Sequence, residues 1–327
     1  MNSNKKLLIV YILEILKEYS DENHPLKQND IIEILDRQYN MACDRKSVGA
    51  NVLLLQDLGY DIIKNGGGVF LGAREIDNSE ISFLVDAIFS CRSISTKQSQ
   101  ELIKKVTQFV SMYDRKNYKY WVNANSVIKT DNKQVFYNIS LLNEAIEKNK
   151  KVSFKYSRYY FDEAKNQSQQ SKMFYVSPYF LVNSQGKYYL VCGFDKGDEI
   201  ANYRIDNIRD IRMLDSDRRA IKEFKGFENE VDIAKYINKN PYMLALNEVR
   251  ATIKLYGDYV ENNVVDWFGK NVRMYKKDGT TFVDITFNEQ SLIYWCLQYG
   301  AKVELVSPAS TREKIKEILN QMNNNYK

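Results

Sequence analysis

Eight side chains in the middle of the chain are of the types that hold an anionic, base-bearing ligand. They are Tyr156, Arg158, Ser177, Tyr179, Lys187, Tyr189, Arg204 and Asp206. A guanidinium grips a phosphate through two parallel N–H···O bonds. Serine and tyrosine hydroxyls add donors, and tyrosine faces stack bases. Together this is chemistry for a nucleotide or single-stranded nucleic acid. Arg204 is the best single candidate for the anion contact, with Tyr156, Arg158, Ser177 and Tyr179 expected on strands beside it. Strand alternation puts Lys187 and Tyr189 on one face and Tyr188 and Leu190 on the other. One side then packs a core while Tyr189 points outwards, and Arg204 and Asp206 share a face of the last strand. The competing reading is structural: Arg204 and Asp206 pair with each other or cap a turn, and the tyrosines fill a core.

A second set lies near the N-terminus. Arg45, Lys46, Ser47, Ala50 and Asn51 open a predicted helix, and Lys64 and Asn65 sit at the tip of a predicted hairpin. Arg and Lys neutralise phosphates or read guanine edges, Asn can pair with adenine, and a helix N-terminus attracts phosphate. This suits duplex DNA. The alternative is a module for protein docking or dimerisation.

Signals for catalysis are missing. The chain has no GxxxxGK[ST], GxSxG or HExxH. Asn65-Gly66-Gly67-Gly68 is glycine-rich, but it joins two predicted strands with no helix after it. The chain therefore reads as no enzyme and as having no cofactor. The four cysteines (Cys43, Cys91, Cys192, Cys296) lie far apart, and His24 is the single histidine. That excludes a metal site or a disulfide framework built on them and suggests buried thiols in a reducing, cytoplasmic setting. Lys5-Lys6 before Leu7–Leu13 mimics a signal-peptide start, yet Glu14, Lys17 and Glu18 interrupt the apolar run. Such a run is too short to span a bilayer, so no membrane partner is expected.

Several elements must position these groups. With 327 residues and 44% hydrophobic content, the chain can form two or three packed domains. The net charge of +5 is not concentrated at the predicted DNA face: residues 1–72 hold eight Lys/Arg against ten Asp/Glu. Apolar periodicity predicts helices over 5–19, Gln28–Gln38 and Arg45–Leu58, the third opened by an Asp44 N-cap and closed by Gly59. Val48, Val52, Leu55 and Leu58 are its expected core face. Strands over Tyr60–Lys64 and Val69–Gly72 flank a tight turn. This is the order of a winged helix-turn-helix. Helices over Ser79–Arg92 and Thr96–Tyr113 follow, then a less regular Asp114–Lys133. A short helix over 139–150 precedes strands at Lys151–Tyr156, Met173–Val176, Phe180–Asn183, Tyr188–Phe194 and Ile200–Arg204. A flexible loop is expected over Asp162–Ser171. From Val249 onwards the order is βαββαβ with a final helix, a ferredoxin-like pattern. Trp267 and Trp295 are expected in its core.

Three motifs in order, Ser177-Pro178-Tyr179, Lys187-Tyr188-Tyr189-Leu190 and Tyr203-Arg204-Ile205-Asp206-Asn207-Ile208, resemble the WYL domain. Asp44-Arg45-Lys46-Ser47-Val48 resembles the recognition-helix opening of WYL regulators. The chain departs from the family at Tyr188, in place of Trp, at Asn207, where a second Arg is common, and at Gly49-Ala50. The resemblance implies an α+β multidomain chain. Its parts are a winged helix-turn-helix over 1–73, a helical linker over 74–135, an Sm-like small β-barrel over 136–220 and a ferredoxin-like C-terminal extension over 221–327. It also implies a ligand-responsive transcription regulator, with repression as the default sign. The partners would be an operator in double-stranded DNA, a nucleotide or single-stranded nucleic-acid ligand, and a second copy in a homodimer. The rival is an accessory protein of phage defence or CRISPR acting on RNA or single-stranded DNA, with the winged helix used for assembly.

Overall fold

The computed structural model describes residues 5–119, 128–160, 168–229, 232–244, 247–257 and 259–327. The chain divides into two compact units, Met1–Lys133 and Gln134–Lys327.

The first unit opens with three helices, α1 (Leu8–Tyr19), α2 (Gln28–Tyr39) and α3 (Arg45–Asp57). Their apolar stripes, Ile12 and Ile15, Ile31 and Leu35, Val48 and Val52, close on one core with Ile62 and Leu71. Those two belong to a hairpin of β1 (Ile62–Asn65) and β2 (Gly68–Leu71). Leu26 bonds to Val69 through both backbone groups, so the segment before α2 lies beside β2. Gly68 is required there: its φ is +146°, and a Cβ would meet the Leu26 carbonyl oxygen at 2.3 Å. The expected core face of α3 needs one correction. Leu58 is 65% exposed, because the helix ends before it and the chain turns away at Gly59, φ +93°.

Helices α4 (Asn78–Ser90) and α5 (Thr96–Val106) follow, capped by Asp77 and Ser95. The second predicted helix is shorter than expected, since 3-10 turns take over at Thr107–Phe109 and Asp114–Tyr118. Ile81, Val85, Ile103, Val110 and Tyr118 form their core. Polar contacts tie this segment to the end of α1. Arg115 donates to both Glu18 oxygens at 3.0 and 2.7 Å, and Arg74 donates to the Lys17 and Ser20 carbonyls at 2.8 and 2.6 Å. His24 stacks on Tyr113 at 3.6 Å and holds Asp21 at 2.7 Å. The middle of the expected irregular segment Asp114–Lys133 lies outside the described residues.

The second unit begins with α6 (Val135–Glu147) and a five-stranded antiparallel sheet of order β6-β5-β4-β3-β7. The strands are β3 (Lys150–Tyr160), β4 (Ser168–Ser184), β5 (Lys187–Gly193), β6 (Ile200–Arg204) and β7 (Ile208–Asp217). Two sequence expectations change. The segments at Met173–Val176 and Phe180–Asn183 are one strand, which pairs with β3 up to Val176 and with β5 from Ser177. Its register slips between Pro178 and Phe180, where proline supplies no donor. Ile200–Arg204 is also not the last strand, since β7 returns to pair with β3. The loop expected over Asp162–Ser171 lies mostly outside the described residues, and its end, Ser168–Ser171, is strand.

After α7 (Ile233–Lys239) comes a four-stranded antiparallel sheet of order β11-β8-β10-β9. Its elements are β8 (Glu248–Leu255), α8 (Val260–Phe268), β9 (Arg273–Lys277), β10 (Thr280–Asn288), α9 (Glu289–Tyr299), β11 (Val303–Ser307) and a final α10 (Ala309–Asn325). One face of this sheet, with Ala251, Ile253, Val283 and Ile285, packs on Val264, Leu292 and Trp295 of the helices. Trp295 is fully buried, whereas Trp267 is half-buried and stacks on Tyr242 at 5.5 Å. Among the described residues, no helix is long and apolar enough to cross a membrane.

Candidate functional site

In the first unit, the Asp44 carboxylate accepts from the Ser47 amide at 2.8 Å and from the Ser47 hydroxyl at 3.2 Å. The amide bond holds its pKa below the ordinary aspartate value. Arg45 and Lys46 are exposed on this first turn, and Arg45 Nε donates to Asn29 Oδ1 at 2.7 Å. That bond ties the guanidinium to the first turn of α2. Ala50 and Lys64 are also exposed. The other three predicted residues have local duties. Ser47 completes the cap, Asn51 donates back to the Ser47 carbonyl at 2.8 Å, and Asn65 accepts from the Gly67 and Gly68 amides at 2.9 and 3.1 Å. Beyond its first turn, α3 shows leucine to solvent: Leu53 is 62% and Leu54 48% exposed.

In the five-stranded sheet, Tyr189 and Arg204 are register partners across β5 and β6. Arg204 closes on Asp206, with Nε to Oδ1 at 3.1 Å and Nη2 to Oδ2 at 2.5 Å. The Asp206 bond raises the guanidinium pKa further. Asp206 lies in a 3-10 turn, Ile205–Asn207, and not on the strand, so the pair closes across the start of that turn and not by strand alternation. Asp206 is buried, while a third of the Arg204 side chain is exposed. The structural reading of this pair is therefore realised, but the guanidinium is not sealed in. Tyr156 stands alongside, accepting from Asn207 Nδ2 at 3.4 Å, and the Arg158 guanidinium covers its ring at 5.7 Å.

Tyr189 is half-buried and packs against a cluster with Val182 and Val191, contrary to the expectation that it points outwards. Burial raises its pKa, and Arg204 opposes that. Lys187 is half-buried at the β4–β5 turn.

Ser177 and Tyr179 do not join this group. Ser177 is fully buried and accepts the Arg219 amide at 3.1 Å, and Tyr179 donates to the Arg219 carbonyl at 3.1 Å. Burial pushes the Tyr179 pKa up to about 12. Their physical role is to fasten the chain after β7.

Three further residues here were not among the candidate site residues read from the sequence. Tyr203 sits at the centre of an aromatic cluster, 5.3 Å from Phe154 and 4.9 Å from both Tyr156 and Phe174. Its alternation with Arg204 was the available signal. Arg218 donates to the Pro178 carbonyl at 2.6 Å, and Arg219 to those of Phe194 and Gly197 at 2.7 and 2.8 Å. Their adjacency just past a strand was the cue. Of the cysteines, Cys192 and Cys296 are buried with raised pKa values, whereas Cys43 and Cys91 are only half-buried.

Residues 137–213, which cover most of α6 and nearly all of this sheet, match the WYL domain family. Residues 247–322 match the WCX domain family. The chain carries a WYL domain and a WCX domain. In the WYL match lie Tyr156, Arg158, Tyr189, Arg204 and Asp206, and the four-stranded sheet is the WCX match.

Two solved structures are similar to the chain. One is proteasome accessory factor B/C (PafBC) of Arthrobacter aurescens, at 13% identity and a TM-score of 0.29, over 95% of this chain and 47% of that one. The WYL-domain chain thus spans about half the length of that protein. The other is a CRISPR Cas-related protein, at 13% identity and a TM-score of 0.40, over 99% of this chain and 92% of that one. No curated protein matches.

Proposed function

We propose that this WYL-domain protein is a ligand-responsive transcription regulator. Its first 73 residues act as a winged helix-turn-helix on operator DNA. Its WYL sheet, folded as a small Sm-like barrel, takes a nucleotide or single-stranded nucleic acid. The ferredoxin-like C-terminal part completes the chain. The observation that carries the reading is the Asp44-capped start of α3, with Arg45 and Lys46 exposed on it, in a chain that also holds a WYL domain. A capped helix N-terminus with two cations favours phosphate and groove contacts. Two heads in a homodimer match palindromic half-sites. The contact set is Arg45, Lys46, Ala50 and Lys64, because Ser47, Asn51 and Asn65 serve the backbone.

In the WYL sheet, Arg158 and the open side of Arg204 supply cation, and Tyr156 and Tyr189 supply ring faces. Ligand occupancy changes DNA affinity only as far as the ligand prefers one arrangement, and the coupling is reciprocal. No catalytic role is assigned.

The test is a titration of duplex from upstream of the protein's own gene at several salt concentrations. Tight, salt-sensitive binding that disappears in Arg45→Ala/Lys46→Ala supports the regulator; unchanged binding in that variant rejects it. A second reading is favoured by the exposed Leu53 and Leu54 of α3 and Leu58 just past its end, apolar side chains that a duplex would not cover. In it the head docks onto protein, as in a nucleic-acid accessory role in phage defence. Loss of an assembly in Leu53→Ser/Leu58→Ser, with duplex binding absent in the parent protein, supports that reading.

A further inference from the structure

The four-stranded sheet buries one face under α8 and α9. Its other face carries Arg250, Thr252 and Lys254 of β8, Arg273, Tyr275 and Lys277 of β9, and Phe282 and Asp284 of β10, all exposed or half-buried. The apolar core of this part lies wholly on the other side, so hydrophobic burial does not explain an aromatic pair here.

That pair has a particular geometry. Tyr275 and Phe282 are register partners on adjacent strands, and their rings stack at 5.7 Å with an interplanar angle of 15°. The Arg273 guanidinium lies 5.4 Å from the Tyr275 ring. Lys254 is the register partner of Phe282 on its other side, with its ammonium 4.8 Å from the Tyr256 ring, and Lys277 lies opposite Thr280. The carboxylates of the face are already engaged. Asp284 accepts from Thr252 Oγ1 at 2.8 Å and stands 3.7 Å from Arg273. Glu304 is held by Arg312 at 2.7 Å and Glu248 by Lys239 at 2.7 Å. The result is a ring platform rimmed by cations, on a sheet edge that ends in the exposed strand β9.

We infer that this face binds single-stranded nucleic acid, with bases stacked on Tyr275 and Phe282 and phosphates held by Lys254, Lys277 and Arg273. Four-stranded sheets with exposed aromatics recognise single strands in this way. Duplex is a poor fit, since its bases are already stacked and the rings would meet only backbone. The site is separate from the WYL sheet and does not depend on the ligand proposed there.

The test uses the full chain and fluorescein-labelled oligo(dT) and oligo(rU) of about 12 nucleotides, a length one such module covers. Anisotropy gives affinity and its salt dependence. Tyr275→Ala/Phe282→Ala is expected to weaken binding at least about tenfold, as the loss of stacking predicts. Lys254→Gln/Lys277→Gln leaves the rings in place. It is expected to lower the slope of log K against log salt by about 1.4, since each phosphate neutralised on a single strand is worth about 0.7. Thermal melting confirms that each variant folds; if the ring variant does not, the lysine variant decides alone. The inference is overturned if the parent protein binds neither oligonucleotide or if both variants bind like the parent. It is equally overturned if Arg158→Ala abolishes binding while both sheet variants retain it.

Discussion

The WYL sheet and the C-terminal sheet both set cations beside aromatic rings, but they use them differently. In the WYL sheet, Arg204 commits two nitrogens to a buried carboxylate within its own turn. In the C-terminal sheet, Arg273 is 78% exposed on its side chain, and its nearest carboxylate is 3.7 Å away. A charge that neutralises a buried partner is part of the fold. A charge left at the rim of a ring platform is available to a ligand. Residue type alone does not separate the two cases, because Arg, Tyr and Asp occur in both. The distinction is where the carboxylate lies and whether water already reaches it.

Substitution should expose that contrast. The largest effect is expected at Arg204→Ala, which leaves Asp206 buried without its guanidinium. The cost should be about 2 kcal/mol, below that of breaking a fully buried pair, because water reaches part of the side chain. Chemical denaturation measures it, and a change near zero would break the comparison. This variant is therefore a poor probe of ligand binding, and the exposed Arg158→Ala is the better one.

Glu289 extends the test within the C-terminal part, because it is a buried carboxylate like Asp206. It accepts from Lys314 at 2.8 Å, Thr311 at 2.7 Å and Asn247 at 2.8 Å, and these bonds hold its pKa below the ordinary glutamate value, with Lys314 contributing most. Native protein then binds fewer protons than unfolded protein. The stabilisation is fully present above the unfolded value of about 4.3 and fades as pH falls through the lower native one. Glu289→Gln should cost about 2 kcal/mol at neutral pH. The gap from the parent protein should narrow below about pH 4 in acid-denaturation curves. A gap independent of pH would remove the ionic explanation.

The smallest effect belongs to the rim. Arg273→Ala should change stability by no more than about 0.5 kcal/mol, read by the same denaturation. A cost matching that of Arg204→Ala would mean that the open face is also structural.

Much of this organisation was legible in the sequence, for physical reasons. Asp44 announced a cap because its carboxylate reaches the first-turn amides, and Gly59 marked the end of α3 because it takes a positive φ. The βαββαβ order was readable because the apolar period switches cleanly between two and 3.6. β7 was not, since Arg209, Asp210 and Arg212 break its alternation and Asp210 turns to a φ of 51° at a bulge. The join of two predicted strands into β4 was hidden by Pro178, which reads as a break. The candidate ligand group was half legible. Tyr156, Arg158, Tyr189, Arg204 and Asp206 do come together, but Ser177 and Tyr179 serve Arg219, a pairing of long sequence separation that no local pattern encodes. The C-terminal ring platform escaped notice because Tyr275 and Phe282 become neighbours only through strand register.

The central claim is that the head reads duplex DNA through the first turn of α3. The most direct measurement is selection of bound duplexes from a random library, followed by salt titration of the recovered site with the parent protein and Arg45→Ala/Lys46→Ala. The account predicts enrichment of a two-fold symmetric site and loss of affinity in the variant. It also predicts a salt slope lowered by about 1.8, since each phosphate neutralised on a duplex is worth about 0.9. No enriched site, or a variant that binds it with the parent's affinity and slope, would contradict it.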